Sequence, residues 1–272
     1  MTKKRKNSRS KRGMTILMVI LTLLFAGLSC ATFISPYVSP LKTVIFHYLG
    51  LVSPFILAGD LILLIYWIIK KRIWLVVPLI SIVLNIGYIS SMVRVGISNN
   101  DKESALRVAT YNIDNFGEGK NLNPIVSFIS SQDIDIIALQ EAWDFSLDIL
   151  KKNFSEYNYI NKKGELVIMS KYPILDVNSQ QLPNKTGYIF SAKIDYNGEN
   201  ILFATTHLQT TGISSIPRRV KSSGYLSFKG EQYRFSKNAR VRAKQANAVA
   251  KYIDNQELPI IICGDFNDTP AS

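Results

Sequence analysis

The chain has 272 residues, 47% of them hydrophobic, and a formal net charge of +12. Residues 1–100 hold 12 of the lysines and arginines and one acid, whereas residues 101–272 hold 20 basic and 19 acidic residues. The basic balance therefore belongs to the N-terminal part and argues against a basic nucleic-acid-binding domain. Only two cysteines are present, Cys30 and Cys263, which argues against a disulfide framework.

Three apolar stretches follow a basic tail of residues 1–13. The first and third contain 21 residues each without a charge, and the second contains Pro54 and Asp60. Stretches of this length can span a bilayer. An alternative is that the first is a cleaved signal peptide, which leaves two spans. We predict a transmembrane region of residues 14–97, with helices at about 14–34, 44–69 and 73–93.

The distribution of basic residues orients these helices. The N-terminal tail and the segment Lys70-Lys71-Arg72 are basic, whereas the loop between the first two stretches holds only Lys42. Because basic segments stay in the cytoplasm, both predicted span counts place the rest of the chain outside. We predict a multi-pass protein of the plasma membrane, with the lipid bilayer as its partner and an extracytoplasmic domain at 106–272 after a linker at 98–105.

Asp60 is the only acid within the apolar stretches. An ionisable residue at that depth is a functional candidate. One acid does not make a proton pathway, so we favour a structural hydrogen bond, for which Asn85 on the third stretch is the expected partner.

Several apolar strands predicted in the second half end in polar residues. The residues are Asn112, Glu141, His207 and, after Pro259–Gly264, the pair Asp265 and Asn267. Each one alone is typical of a turn or cap. Because α/β sheets bind ligands at the carboxyl ends of their strands, the whole set predicts one site. A helix is predicted at about 237–255, with Ser236 as a possible cap.

These residues lie in motifs that resemble the endonuclease/exonuclease/phosphatase superfamily, which has the deoxyribonuclease-I-like fold. The resemblance runs from about residue 106 to the end and implies an α/β, four-layer sandwich after the three transmembrane helices. Its motifs are Tyr111-Asn112-Ile113, Leu139-Gln140-Glu141, Gly164–Pro173, Thr206-His207-Leu208, Arg242 with Gln245, and Gly264–Asn267.

The resemblance also implies a divalent-metal-dependent phosphodiesterase that uses Mg²⁺ or Mn²⁺. By this resemblance Glu141 binds the metal, with Asn112 nearby, and Asp265 orients or deprotonates the attacking water. Asn267 would hold a phosphate oxygen, and His207 would donate a hydrogen bond or proton to the phosphate.

Family members continue to a closing Ser-Asp-His motif, whereas this chain ends at Ser272. The sandwich is therefore expected to be incomplete, and the 272-residue chain alone is expected to lack phosphodiesterase activity.

The segment 212–236 alternates cations, including Arg218 and Arg219, with aromatic residues. These two and Arg242 on the late helix are candidates for substrate binding. The pattern suits nucleic acid, anionic lipid headgroups, or a solvated surface loop. We expect a nuclease-like enzyme; the alternatives are a phospholipase-C or sphingomyelinase-like lipid headgroup hydrolase, and a non-catalytic membrane-bound binding module. The sequence indicates no protein partner.

Overall fold

The computed structural model describes residues 2–92 and 106–269. The chain divides into two compact units, one built mainly from Met1–Ser98 and the other from Asn99–Asn267. The predicted linker at 98–105 lies outside the described residues. We refer to the two units as the N-terminal unit and the outer unit.

The N-terminal unit is helical. Two of its helices are long and apolar enough to cross a membrane, over Arg12–Tyr37 and Ile45–Ile69. The third predicted span consists of two shorter helices with a bend of 55° between them. The number of possible spans is therefore two, or three if the bent pair crosses the membrane as one span. The helices are α1 (Thr2–Ile34), α2 (Ile45–Ile69), α3 (Val76–Leu84) and α4 (Ile86–Met92).

The bend lies at Asn85, whose backbone leaves the helical region with φ −92° and ψ 12°. Its side-chain Nδ2 donates to the carbonyl of Ser81 at 2.9 Å and to that of Ser29 at 3.2 Å. An amide side chain that bonds the backbone in this way competes with the helical hydrogen bonds, which explains why an uncharged run does not form one straight helix.

The hydrogen bond expected between Asp60 and Asn85 is not formed. Asp60 accepts instead from the hydroxyl of Ser29 on α1, and Asn85 donates to the backbone of the same residue. All three residues are at least 98% buried. Asp60 Oδ1 and Asn85 Oδ1 have no hydrogen-bond partner. The cluster therefore links three helices through Ser29.

Two four-stranded sheets form the outer unit. The first has the order β1-β2-β4-β3 and the second β5-β6-β7-β8. Each sheet contains one parallel pair, β1 with β2 and β7 with β8. The strands are β1 (Val108–Asn112), β2 (Ile136–Gln140), β3 (Tyr159–Lys163), β4 (Leu166–Ser170), β5 (Ile174–Gln181), β6 (Tyr188–Tyr196), β7 (Glu199–His207) and β8 (Ile260–Asp265).

Alternating side chains of β2 serve two different cores. Ile136 and Ala138 pack with residues of the second sheet such as Phe203. Ile137 and Leu139 point the other way, into a core shared with helices. Because successive side chains of a strand face opposite sides, a strand buried on both sides must lie between two layers.

A third core covers the far side of the second sheet, where Val249 and Tyr252 pack on Leu202 and Ala204. The layers are thus helices, sheet, sheet and helix, and the predicted four-layer α/β sandwich is confirmed. The helices of this unit are the left-handed turn α5 (Asp114–Glu118), α6 (Leu122–Ser130), α7 (Leu147–Asn153), α8 (Ile216–Ser223) and α9 (Phe228–Asp254).

The late helix begins earlier than predicted. α9 starts at Phe228, where the hydroxyl of Ser227 accepts from the backbone N–H of Gly230 at 3.3 Å. Ser236 lies inside the helix, so its prediction as a cap was wrong. Much of the segment 212–236 is accordingly helical, in α8 and in the first turns of α9.

Candidate active site

Four strand ends meet in the outer unit. Asn112 ends β1, Glu141 follows β2, His207 ends β7 and Asp265 ends β8. The register pairs Asn112 with Gln140 in one sheet and His207 with Asp265 in the other. Parallel neighbours end at the same edge, so each sheet delivers two polar residues to one place.

Asn112 joins the two sheets. Its Nδ2 donates to Glu141 Oε1 at 2.8 Å and to Asp265 Oδ2 at 3.0 Å. Its Oδ1 accepts from the backbone N–H of Asp114 at 3.0 Å. The amide therefore presents its NH₂ group to both carboxylates, and its oxygen is held by the backbone. In this arrangement Asn112 bridges the two acids, and its predicted place near a metal stays a prediction.

Asn267 fixes the last strand end. Its backbone N–H donates to Asp265 Oδ1 at 2.9 Å, and its side-chain Nδ2 donates to the carbonyl of Leu208 at 3.0 Å. Both oxygens of Asp265 are thus hydrogen-bonded, one by Asn267 and one by Asn112. The five residues predicted from strand ends form one connected cluster.

Two backbone features support this geometry. Gly264 has φ +146°, and a Cβ there would lie 2.0 Å from the carbonyl oxygen of Thr206, so only glycine fits beside β7. Glu141 has φ +60°, which is costly for a residue with a side chain and is common at functional sites.

His207 sits between acids on both sides of its ring. Nε2 lies 3.7 Å from Glu141 Oε1 and 3.9 Å from Asp265 Oδ2, and Nδ1 lies 3.2 Å from Glu165 Oε1. Burial lowers the pKa of His207, but the hydrogen bond to Glu165 and the charges of all three carboxylates outweigh it, so the pKa is raised.

Glu165 was not predicted as a functional residue. It lies in the turn between β3 and β4, is 7% exposed, and accepts from the backbone N–H of Ala142 through its own carbonyl. Its partner His207 is 42 positions away in the chain, so no local pattern marks the contact. Its only signal is its place in the Gly164–Pro173 motif.

A polar network centred on the buried Gln140 lies one or two residues before the site on each contributing strand. Gln140 Nε2 donates to the hydroxyls of Thr110 and Thr205, both at 3.0 Å, and so connects the two sheets. Cys263 of β8 also contacts these two hydroxyls. The network holds the strands together just below Asn112, Glu141, His207 and Asp265.

Of the three arginines predicted to bind substrate, two bond to other residues of the chain and the third is exposed. Arg219 forms an ion pair with Glu231. Arg242 is 2% exposed and donates to the carbonyl of Gln209 at 2.9 Å, which supports the loop after His207. Arg218 is exposed on α8. Their role in substrate binding stays a prediction.

The arrangement can hold a cation. Among the described residues, Glu141, His207 and Asp265 each offer a ligand atom, and these atoms lie within 4.8 Å of one another. All three residues are partly exposed, so the point between them is open to ions and water. Two carboxylates, with waters completing the shell, suit Mg²⁺ or Mn²⁺.

Residues 109–272 match the model of the Endonuclease/Exonuclease/phosphatase family. The chain belongs to this family. Residues 15–92 match a separate model, described as a domain of unknown function (DUF8431). No curated protein matches the sequence.

Three solved structures are among those similar to this family member. TDP2 from D. rerio, complexed with single strand DNA product, is 18% identical with a TM-score of 0.46 over 61% of this chain and 62% of its own. A beta hairpin deletion mutant of beta toxin from Staphylococcus aureus is 18% identical with a TM-score of 0.43, over 62% of this chain and 70% of its own. Sphingomyelinase C from Streptomyces griseocarneus is also 18% identical with a TM-score of 0.43, over 60% of this chain and 64% of its own.

Proposed function

We propose that this member of the Endonuclease/Exonuclease/phosphatase family is a membrane-anchored, divalent-metal-dependent phosphodiesterase of the nuclease-like type. The observation that carries the proposal is the convergence of Glu141, His207 and Asp265 on one point, with Asn112 hydrogen-bonded to both acids. Two carboxylates brought this close repel each other, and a divalent cation between them removes that cost.

Glu141 and Asp265 would hold the cation, with His207 beside it. When bound, the cation neutralises negative charge on the phosphate. The remaining chemistry belongs to side chains of this chain. The fixed orientation of Asp265, with a hydrogen bond on each oxygen, suits a group that must aim one lone pair at an incoming water.

The reaction is an in-line hydrolysis. The water oxygen attacks phosphorus, Asp265 takes up the proton that the water loses, and the bond from phosphorus to the leaving oxygen breaks. Asn267 Nδ2 donates one hydrogen to Leu208 and keeps a second for a phosphate oxygen. His207, held at Nδ1 by Glu165 and beside the cation without being its ligand, donates from Nε2 to the developing charge.

Glu165 would act on this step through His207. The carboxylate of Glu165 accepts a hydrogen bond from Nδ1 of His207. This hydrogen bond fixes the ring so that Nε2 faces Glu141 and Asp265. Glu165 is therefore a positioning residue.

The localisation follows from the apolar helices and the basic tail. The proposed topology places the N-terminal tail in the cytoplasm and the family domain outside the plasma membrane. A periplasmic-type phosphatase fused after Ile97 is expected to be active in bacterial cells. An inactive fusion that is nonetheless expressed would contradict this topology.

A second candidate function is hydrolysis of lipid headgroups, as in phospholipase C or sphingomyelinase. The observation that favours it is that the same chain carries two helices apolar enough to cross a membrane. A third candidate, a non-catalytic membrane-bound binding module, would use the same cluster to bind a phosphate without turnover.

Turnover by the complete gene product separates these candidates. The substrates are single-stranded and duplex DNA, phospholipid vesicles, and a chromogenic phosphodiester, each with and without Mg²⁺ or Mn²⁺. We expect metal-dependent cleavage of DNA and of the chromogenic ester. Cleavage of vesicle lipid alone would favour the lipid hydrolase, and no cleavage of any substrate would favour the binding module.

The decisive variant is Glu141→Gln, which keeps the shape of the side chain and removes its charge. We expect turnover to fall by a factor of about 10³ or more. The matched control is Glu199→Gln, because Glu199 is exposed at the start of β7. Turnover that survives Glu141→Gln would overturn the assignment of the cation site.

A further inference from the structure

The helix α9 carries a basic stripe along its exposed face. Lys229, Lys237, Arg240 and Lys244 are all exposed, with Tyr233, 69% exposed, between the first two. Their spacing of three, four or eight positions places them on one side of a helix, over about 22 Å of its length. The opposite side carries the buried residues Ala239, Arg242, Gln245, Val249 and Tyr252.

An apolar tip lies at the N-terminal end of this stripe. The turn between α8 and α9 belongs to a run of nine consecutive exposed residues, from Lys221 to Lys229. Within it Tyr225 is 67%, Leu226 39% and Phe228 78% exposed. Large apolar side chains held in water at the end of a helix pair are unfavourable, so a surface that covers them would stabilise the tip.

The charge of this region is strongly one-sided. Residues 212–250 contain nine lysines and arginines and one acid, Glu231. That acid is already paired with Arg219, and Arg242 is buried. Seven exposed cations therefore face solvent without an exposed acid among them. Elsewhere in the chain after residue 100, acids outnumber bases by 18 to 11, so this concentration of positive charge is local.

The tip and the stripe are held by an ordered scaffold. Arg219 donates to Glu231 and to the carbonyl of Gly212, which ties α8 to α9 and to the loop before it. Gly224 ends α8 in the left-handed conformation, and Ser227 caps α9. The aromatic residues are thus presented by a fixed turn between two helices.

We propose that this surface, made of the tip Tyr225-Leu226-Phe228 and the α9 stripe, docks the outer unit on an anionic lipid surface. Aromatic and aliphatic side chains would enter the interfacial layer, and the flanking lysines would contact lipid phosphates. The inference rests on the proposed membrane placement and does not depend on catalysis.

The observations favour lipid over nucleic acid for two reasons. Leu226 stands beside the aromatic residues in the tip, and an aliphatic side chain inserts into lipid but does not stack on bases. The chain also carries its own apolar helices, and only 15 residues separate Met92 from Val108, a reach of at most roughly 50 Å. The outer unit is thus kept near a bilayer, where even weak docking is effective.

The test measures lysine accessibility in the full chain placed in lipid nanodiscs. A water-soluble acetylating reagent is applied in discs of zwitterionic lipid and in discs containing about a third anionic lipid, and each site is quantified by mass spectrometry. We expect the labelling rates of Lys221, Lys229 and Lys237 to fall at least fivefold in anionic discs, roughly the effect of one cation at the surface. Lys151 on α7, outside the surface, serves as the internal control.

Two variants separate docking from other causes of protection. Tyr225→Ser with Phe228→Ser removes the tip, and Lys237→Glu with Lys244→Glu removes charge from the stripe. Both pairs are exposed, so folding is retained. Each pair is expected to restore labelling at Lys221 and Lys229. The matched control, Lys151→Glu with Lys152→Glu on α7, is expected to leave the protection unchanged.

Equal labelling rates in both kinds of disc would overturn the proposal. Protection by an added single-stranded oligonucleotide, without protection by anionic lipid, would also overturn it and assign the surface to nucleic acid. A chain that does not incorporate into discs would instead contradict the membrane placement, so the two failures are distinguishable.

Discussion

Each unit of the chain holds an aspartate in one hydrogen-bonded cluster with a side-chain amide, and the two surroundings differ. Asp60 in the N-terminal unit is fully buried, with one oxygen bonded by Ser29 and the other unpartnered. The side chain of Asp265 in the outer unit is 30% exposed, and both of its oxygens accept hydrogen bonds. Asp265 also lies within reach of Glu141 and His207.

The difference indicates what a carboxylate needs if it is to serve in the proposed cation site. A hard cation needs several oxygen ligands around one point and access for water. The outer unit supplies both because four strand ends converge at its surface. The cluster around Asp60 contains one carboxylate, buried among helices, and this carboxylate accepts a hydrogen bond from Ser29. A polar contact of this kind between helices holds the helices together. We therefore assign Asp60 to helix packing.

The two cysteines, one in each unit, allow the first test of this comparison. Burial raises the pKa of the Cys263 thiol to about 11, although hydrogen bonds with Thr110 and Thr205 lower it. At pH 8 the thiolate fraction should be roughly a hundredfold smaller in the folded chain than in the unfolded one. In a Cys30→Ser variant, alkylation of Cys263 is expected to be slower by that factor in buffer than in urea.

The pH dependence of this effect has a definite sign. The folded-state pKa of the thiol lies above the ordinary value of 9.0, so folding favours the protonated form. The stabilisation is complete below pH 9 and is lost as pH rises through about 11, where the two alkylation rates converge. Equal rates at pH 8 would show that the network below the active site is open to solvent.

Glu165→Gln tests whether the acid behind His207 positions the ring. Turnover by the complete gene product is expected to fall about thirtyfold, because the imidazole loses the partner that fixes its orientation. Mn²⁺ affinity should change less than threefold, since Glu141 and Asp265 remain. Glu199→Gln is the control, and an unchanged turnover in Glu165→Gln would remove Glu165 from the mechanism.

Gln140→Leu tests the network that joins the two sheets. The hydroxyls of Thr110 and Thr205 would lose their shared partner, and Thr205 is fully buried, so we expect a cost of about 2 kcal/mol. Proteolysis of the full chain at increasing urea concentration measures the free energy of unfolding of the outer unit. Gln180→Leu on β5, where the side chain is exposed, should cost less than about 0.5 kcal/mol. Equal costs for the two variants would contradict the role of the network.

The sequence predicted the parts of this architecture that local patterns encode. Apolar runs that stop at Asn112, Glu141, His207 and Asp265 marked four strand ends, because burial and the end of burial are both visible along the chain. The convergence of these ends followed from the rule for parallel strands. The four-layer arrangement followed from the family resemblance.

The features that sequence reasoning missed depend on distant partners. Glu165 gains its role from a histidine on another sheet. Strands β3 and β5 were not predicted; β5 is mostly exposed, so it lacks a clear alternation. α9 begins earlier than predicted because the cap at Ser227 outweighs the low helix propensity of Gly230. The bend at Asn85 arises from hydrogen bonds to Ser29 and Ser81 that an apolar run does not reveal.

Direct titration of the full chain with Mn²⁺ is the most direct test of the proposed cation site. The measurement compares the natural chain with Asp265→Asn and with Asp60→Asn, by calorimetry or by the electron paramagnetic resonance signal of the free ion. The cation site predicts that Asp265→Asn weakens Mn²⁺ binding at least about a hundredfold, whereas Asp60→Asn leaves it unchanged. Undiminished binding by Asp265→Asn, or binding lost in Asp60→Asn, would contradict the assignment of the site to the strand ends of the outer unit.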